Sequence, residues 1–379
     1  MTRVGGRYGL TFLLMFAIGI GLPISPLFAS KLGASWVEIG LMGSVWGILF
    51  TVSAFLTGRI SDRVGRKPVL AMSSGLSALA ALFFLRASSV SQLIAIRGLE
   101  GVAWACFWPP MEALATETAE PDKAGRSIGL VTTVYSFAFL IGSFVAGYLT
   151  SLFGFAFSYA TYLVLASLAV VAVLFVEAPD HAGGPKPMPV GRLMSRLFSR
   201  TLISGNLLGA SFTFGAATVW ALLSVYAAGL GIPVLWIGAA FSLFWIGRIL
   251  GAAFAGGASD RYGRRSVAQL AMITGSVGFL VLGLAFDLSV LSVGVLLTGV
   301  SIGAVFPVNV AIIADGIEPE FRGAAMEIYE TACAVAFMIA SALGGFVAEV
   351  VSPGTPYTLS ALVFVSCAVA LSILIPNRS

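Results

Sequence analysis

Residues 58–67 read GRISDRVGRK and residues 256–265 read GGASDRYGRR. Six of the ten positions are identical: Gly58/Gly256, Ser61/Ser259, Asp62/Asp260, Arg63/Arg261, Gly65/Gly263 and Arg66/Arg264. The offset of 198 residues is about half of the 379-residue chain. Each copy follows the second long apolar run of its half. A weaker echo keeps the same offset: Pro121-Asp122-Lys123-Ala124-Gly125-Arg126 against Pro319-Glu320-Phe321-Arg322-Gly323. Each of these precedes the fifth apolar run of its half. The chain therefore reads as two related halves in the same orientation, an arrangement used by secondary transporters.

The composition around these repeats belongs to lipid. Hydrophobic residues make up 58% and charged residues 10%, whereas a soluble domain carries about 25% charged residues. The mean hydropathy is +0.99. Too few charges are present to cover a water-facing exterior. A soluble enzyme, a disordered chain and a nucleic-acid binder are excluded on this ground. Cys106, Cys333 and Cys367 lie inside apolar runs with no metal-ligand spacing, so they read as buried thiols. The single histidine, His181, has no metal partners nearby in sequence. No metal or cofactor is expected.

A helix needs about 20 apolar residues to cross the hydrocarbon core. Twelve segments qualify, at 8–29, 37–57, 69–86, 92–114, 128–150, 156–177, 201–227, 235–256, 267–286, 290–314, 324–349 and 356–376. They are too long for barrel strands and lack strict alternation. The fold class is all-α integral membrane, and the first segment reads as a span and not as a cleaved leader. A Pro/Gly-rich stretch, 178–200, is read as a linker between a bundle over 1–177 and a bundle over 201–379.

Of the 21 Lys and Arg, 17 fall on one alternate set of connections, from Arg3 and Arg7 to Arg378. The other set holds only Lys31 and Arg86. Arg97 and Arg248 fall within spans. Basic residues mark cytoplasmic loops, so both termini are expected in the cytoplasm of a multi-pass plasma-membrane protein. The net charge of +4 then serves topology and needs no nucleic-acid partner.

The repeated segment resembles the loop signature G-x-x-x-D-R-x-G-R-[RK] between the second and third helices of the major facilitator superfamily. Gly58, Asp62, Arg63, Gly65, Arg66 and Lys67 match it, and Asp260, Arg261, Gly263 and Arg264 carry the second copy. The resemblance covers essentially the whole chain. It implies two six-helix bundles around a central cavity, transport by alternating access, and a monomer. It also implies a gating role for the paired loops, with Asp62 facing the start of helix 11 and Asp260 the start of helix 5. The glycines permit tight turns, and an Asp here can sit at a helix N-terminus, where the dipole favours it. The other reading is that the loops only hold topology.

Ionisable residues inside a bilayer cost about 2.5–3.5 kcal/mol each on the insertion scale, so each needs a reason. Arg97 and Glu100 stand i, i+3 on the fourth span and can neutralise each other. Arg97-Gly98-Leu99-Glu100-Gly101 resembles the family motif R-x-x-Q-G, with Glu100 in the polar slot. The family links this Arg to the cavity and to proton coupling, so Glu100 is a candidate protonatable partner; a structural ion pair is the other reading. Trp104 and Trp108 follow Arg97 on the same stripe. Pro109 and Pro110 then interrupt the hydrogen-bond ladder, with Glu112 beyond them. Arg248 on the eighth span is a candidate partner for Glu327 or Glu330 on the eleventh. Asn206 and Asn309 serve either as substrate contacts or as interhelical glue. Trp220 joins the candidate aromatic cavity, whereas Trp36 and Trp236 read as interfacial anchors.

The sequence shows no nucleotide-binding loop, so an ion gradient is the expected energy source. The leading reading is proton-coupled efflux of small hydrophobic or drug-like compounds. Gly142 is followed by Ser143, where drug:proton antiporters of the family usually carry Gly-Pro, and this counts against an antiporter. Uptake of a sugar or organic anion, by proton symport or facilitated passage, is the alternative. A membrane receptor without flux is the alternative of another class. No catalytic cluster marks an enzyme.

Overall fold

A computed structural model describes residues 5–119, 124–178, 199–318 and 322–374, which form helices and short turns. The helices are α1 (Gly5–Lys31), α2 (Trp36–Val64), α3 (Arg66–Arg86), α4 (Val90–Glu117), α5 (Ala124–Phe153) and α6 (Phe155–Ala172, extended by a 3-10 turn at Val173–Phe175). They continue as α7 (Arg200–Gly229), α8 (Val234–Tyr262), α9 (Arg264–Gly283), α10 (Leu288–Gly316), α11 (Arg322–Val350) and α12 (Thr355–Leu374). Among the described residues, these are twelve helices long and apolar enough to cross a membrane. Large apolar side chains such as Phe83, Phe144, Val164, Leu270 and Ile373 stay exposed, as a lipid solvent permits.

Two compact units divide the chain, one of Met1–Pro185 with Gly231–Ser242, the other of Lys186–Leu230 with Leu243–Ser379. Most of the expected linker, 179–198, lies outside the described residues.

Helix starts follow local rules. Ser35 caps α2 through a capping box: the Glu38 amide donates to Ser35 Oγ (3.2 Å) and the Ser35 amide donates to Glu38 Oε2 (2.9 Å). Asp287 caps α10 by accepting from the Val290 amide at 2.9 Å.

One expectation is corrected here. The repeated segments are not loops. α2 runs to Val64 and α3 starts at Arg66, so only Gly65 breaks the helix, at φ +92°. Gly263, at φ +87°, does the same between α8 and α9. That half of the backbone map is open to glycine and costly for residues with a Cβ. Hydropathy sees only where the apolar run ends; the helix carries on into water because its backbone bonds stay intact.

Pro109 and Pro110 do not end α4, which runs unbroken to Glu117. Pro109 has no N–H to give the Ala105 carbonyl. Thr57 on α2 supplies the donor instead, its Oγ1 lying 2.9 Å from that carbonyl oxygen.

The 198-residue offset also relates tertiary contacts. A Cβ on Gly101 of α4 would lie 2.4 Å from the Trp46 carbonyl oxygen on α2, and a Cβ on Gly299 of α10 would lie 2.3 Å from the Phe244 carbonyl oxygen on α8. Gly299 and Phe244 are Gly101 and Trp46 shifted by one repeat. Likewise Ser73 Oγ of α3 donates to the Ala103 carbonyl of α4 (2.7 Å), and Ser301 Oγ of α10 donates to the Ala271 carbonyl of α9 (2.6 Å). The two halves thus share these helix crossings.

Gly101→Ala is expected to destabilise the protein by about 1–3 kcal/mol, because the α2 backbone must move to admit the methyl. Gly75→Ala on α3, with nothing within 4 Å of its added Cβ, is expected to be neutral or stabilising. Thermal unfolding of both variants in detergent checks this. Equal melting temperatures would mean that the α2–α4 crossing tolerates a side chain.

Candidate functional site

Helix α4 positions Arg97 and Glu100 one turn apart, as their spacing requires. Arg97 Nη1 lies 2.5 Å from Glu100 Oε2. The residues are 9% and 5% exposed. The second carboxylate oxygen, Oε1, accepts from the Tyr162 hydroxyl of α6 at 2.9 Å. Helix α1 closes the third side. Gly21 has no side chain there, so the Tyr162 ring approaches to 3.0 Å and Glu100 Oε1 to 3.6 Å of where a Cβ would stand. Ile20, Ile24, Ala80, Ala81, Leu93 and Ala166 belong to the buried apolar cluster of this unit, with Tyr162 itself. A buried charge is tolerated only when paired and hydrogen-bonded. Here both oxygens are engaged and the pair is neutral. Sequence reasoning missed Tyr162, because a tyrosine in an apolar run carries no mark of its partner.

The repeated segments build two matching charge clusters. Arg66 Nη1 contacts Asp62 Oδ1 at 2.5 Å and Ser61 Oγ at 3.0 Å, and its Nη2 contacts Glu117 Oε1 at the end of α4 at 2.6 Å. In the second unit Arg264 Nη1 contacts Asp260 Oδ1 at 2.5 Å and Ser259 Oγ at 2.6 Å, and its Nε contacts Asp315 Oδ2 at the end of α10 at 3.1 Å. Glu117 and Asp315 are themselves one repeat apart. They went unread in the sequence, although the offset was there to find them. The clusters differ in burial: the Arg66 side chain is 9% exposed and Asp62 36%, whereas Arg264 is 30% and Asp260 68%.

Asp62 stands in the last turn of α2 and Arg66 at the first position of α3. Each therefore meets the unfavourable end of its own helix dipole, and the ion pair between them offsets both. Gly58 lies within α2 with open space where a Cβ would go. Arg63 and Arg261 are exposed near the helix ends. Lys67 Nζ donates to the Leu174 carbonyl, beyond α6, at 2.8 Å.

Aromatic side chains gather within each unit. In the first, Trp104 meets Trp46, Tyr135 and Phe139 at centroid distances of 6.0, 5.9 and 6.1 Å, and Trp108 meets Tyr135 at 5.8 Å. In the second, Trp220 meets Trp245 at 5.9 Å and Phe337 at 6.0 Å, and the Arg248 guanidinium lies 5.0 Å from the Trp245 ring centroid. Asn309 is fully buried and its Nδ2 donates to the Gly205 carbonyl of α7 at 3.0 Å, an interhelical tie. Asn206 is partly buried on α7, one residue further on. Glu112 is partly buried on α4 beyond the prolines, and Glu330 partly buried on α11. The side chain of Glu327 falls outside the described residues. Cys106, Cys333 and Cys367 are buried free thiols. Among the described residues, no group of three or more His, Cys, Asp and Glu could hold a metal ion.

A family model described as Major Facilitator Superfamily matches residues 8–238 and 205–379. The chain is 22% identical over 360 residues to the MFS-type transporter MJ1560 of Methanocaldococcus jannaschii, covering 93% of this chain and 92% of that protein. Over 220 residues it is 19% identical to the quinolone resistance protein NorA of Staphylococcus aureus, covering 57% of this chain and 56% of that one. The crystal structure of the nucleoside transporter NupG superposes with a TM-score of 0.78 at 16% identity, covering 99% of this chain and 100% of that one. The human organic anion transporter MFSD10 superposes at 0.71 and 19% identity, covering 97% and 98%. At these identities the superpositions speak to the fold alone. Twelve membrane-length helices, two copies of one charge cluster and a family match along nearly the whole chain agree: this is a transporter and not an enzyme, and the chain belongs to the Major Facilitator Superfamily.

Proposed function

We propose that the protein is a proton-coupled exporter of small hydrophobic or drug-like compounds, in which Glu100 carries the proton and Arg97 is its counter-charge. One observation carries this reading. The positions one repeat after Arg97 and Glu100 are Val295 and Thr298, both fully buried, and Thr298 Oγ1 donates to the Val295 carbonyl at 2.9 Å. The second half builds the same helix with no charge there. The ion pair of the first half is therefore not a demand of the fold. A buried carboxylate kept at an energetic cost, beside a fixed cation, is a functional-site signature in a membrane protein.

The substrate class is supported by the aromatic side chains of Trp104 and Trp108, further along α4 than the pair. The quinolone-resistance relative supports the class and the export direction. Rocking of the halves gives alternating access, and the Asp62–Arg66–Glu117 and Asp260–Arg264–Asp315 clusters set the rest positions of the gates. The bias of basic connections supports an orientation with both termini in the cytoplasm; we take the protein to act as a monomer in the plasma membrane.

The test uses proteoliposomes with a pH dye trapped inside and a lipophilic cation added outside. Export by proton exchange is expected to make the interior more alkaline as the compound enters. Acidification would mean symport and overturn the export reading. Glu100→Gln is expected to abolish the pH response while compound binding persists.

Arg97→Met strands a buried carboxylate and is expected to cost about 3–5 kcal/mol. Arg97→Met combined with Glu100→Gln should regain most of that stability but not the pH-driven flux. Recovery of both would make the pair structural.

The two gate clusters should also differ. Removing one partner of a buried pair costs about 3–5 kcal/mol, whereas an exposed pair is worth about 0–1 kcal/mol. Arg66→Ala is therefore expected to lower the melting temperature far more than Arg264→Ala. Equal losses would show that burial does not set the strength of these clusters.

A further inference from the structure

Around Glu100 the first unit buries hydroxyls that it does not satisfy. Ser25 of α1, Ser77 of α3 and Tyr159 of α6 are each 1% exposed, and the Ser25 and Tyr159 oxygens have no hydrogen-bond partner among the described residues. An unmet buried hydroxyl is costly, so two in the helices that surround one carboxylate call for an explanation.

Their placement is connected. Ser77 and Glu100 flank the Tyr162 hydroxyl, which donates to Glu100. The Tyr159 hydroxyl lies within the field of both Glu100 and Arg97. Ser25 stands one turn along α1 from Gly21, the residue against Tyr162 and Glu100. Pro26, next in the chain, deprives the Leu22 carbonyl of its usual helical donor.

The second half supplies an internal comparison. One repeat on, Ser25 becomes Leu223 and Ser77 becomes Gly275, while Glu100 becomes Thr298. Ala81 and Ala166 become Phe279 and Phe364, two fully buried rings with centroids 4.9 Å apart. Two serines and two alanines thus accompany the carboxylate; where it is absent, those four positions carry Leu223, Gly275 and two large rings, while Tyr357 keeps the hydroxyl of Tyr159. Tyr162, replaced by Ser360 in the second half, takes back part of that volume.

Resting on the reading of Glu100 as the coupling carboxylate, we propose that Ser25, Ser77 and Tyr159 frame an internal water site through which protons reach Glu100 from within the first unit. Water needs two to four polar partners in a polar recess. These three hydroxyls and the remaining lone pairs of the Glu100 carboxylate supply them. A proton then passes along O–H bonds of water, each oxygen releasing one as it accepts one, and ends on the carboxylate. On the side of the bundle where α1 ends and α6 begins, Phe28 packs against Phe155 and Tyr159, with centroids 5.3 and 5.8 Å apart, and Phe84 stacks on Tyr159 at 4.6 Å. These rings would keep the site from opening freely in that direction.

Radiolytic hydroxyl-radical footprinting of the full-length protein in proteoliposomes tests the site. Radicals formed from a bound water label the side chains beside it. Tyr159 and Tyr162 are expected to be labelled despite their burial. Tyr226, buried in the second unit with its hydroxyl bonded to the Ala285 carbonyl at 3.1 Å, serves as the reference. A Ser25→Ala/Ser77→Ala variant, shown by its melting curve to be folded, should lose much of that labelling. It should also show severalfold slower pH-driven flux with compound binding unchanged, and Tyr159→Phe should slow the flux likewise. Labelling no greater than that of Tyr226 would overturn the water site, whatever Glu100→Gln does. Strong labelling with normal coupling in Glu100→Gln would keep the water site and remove its role in coupling.

Discussion

The hydrocarbon core offers no water to hydrogen-bond with, so backbone polar groups placed there must find partners inside the protein and charged side chains must be paired. The rest of this structure depends on that constraint. It explains why the described chain is helical, since a helix satisfies its own backbone. It explains the exceptions too. Where Pro109 removes a donor from α4, Thr57 of α2 supplies one. Where Asn309 is fully buried in α10, its amide is spent on the Gly205 carbonyl of α7. The most costly case, the Glu100 carboxylate, is matched by Arg97 on one oxygen and Tyr162 on the other.

The same constraint makes the two halves informative about each other. They share helix crossings at Gly101 and Gly299 and charge clusters centred on Arg66 and Arg264. Such features belong to the fold, because both halves need them. What one half has and the other lacks is released from that demand. The Arg97–Glu100 pair, its tyrosine and the nearby serines are of the second kind. In the second half Val295, a threonine bonded to its own helix, Ser360, Leu223 and Gly275 occupy the corresponding positions.

Much of this was legible in the residues. Twelve apolar runs, their alternating basic connections and the repeated GRISDRVGRK segment follow from composition and short spacing. The Arg97–Glu100 contact followed from i, i+3 geometry. Other parts were misread or missed for a common reason. The repeated segments read as loops because hydropathy falls where the lipid ends, while the helix itself continues to Val64 and Tyr262. Glu117 and Asp315 sit 51 residues from the arginines they bind. Their shared offset was a usable signal that the charge pattern alone did not draw attention to.

The sequence by itself determined the solvent, the number of spans, the two-half plan and the local ion pair. Each of these depends on residues close together in the chain or on periodicity along it. Only the tertiary structure decided which distant groups complete each polar set: Tyr162 for Glu100, Thr57 for Ala105, Glu117 for Arg66. Those choices depend on which helices lie side by side and on how closely glycines let them approach. Neither is written in the spacing of any one segment.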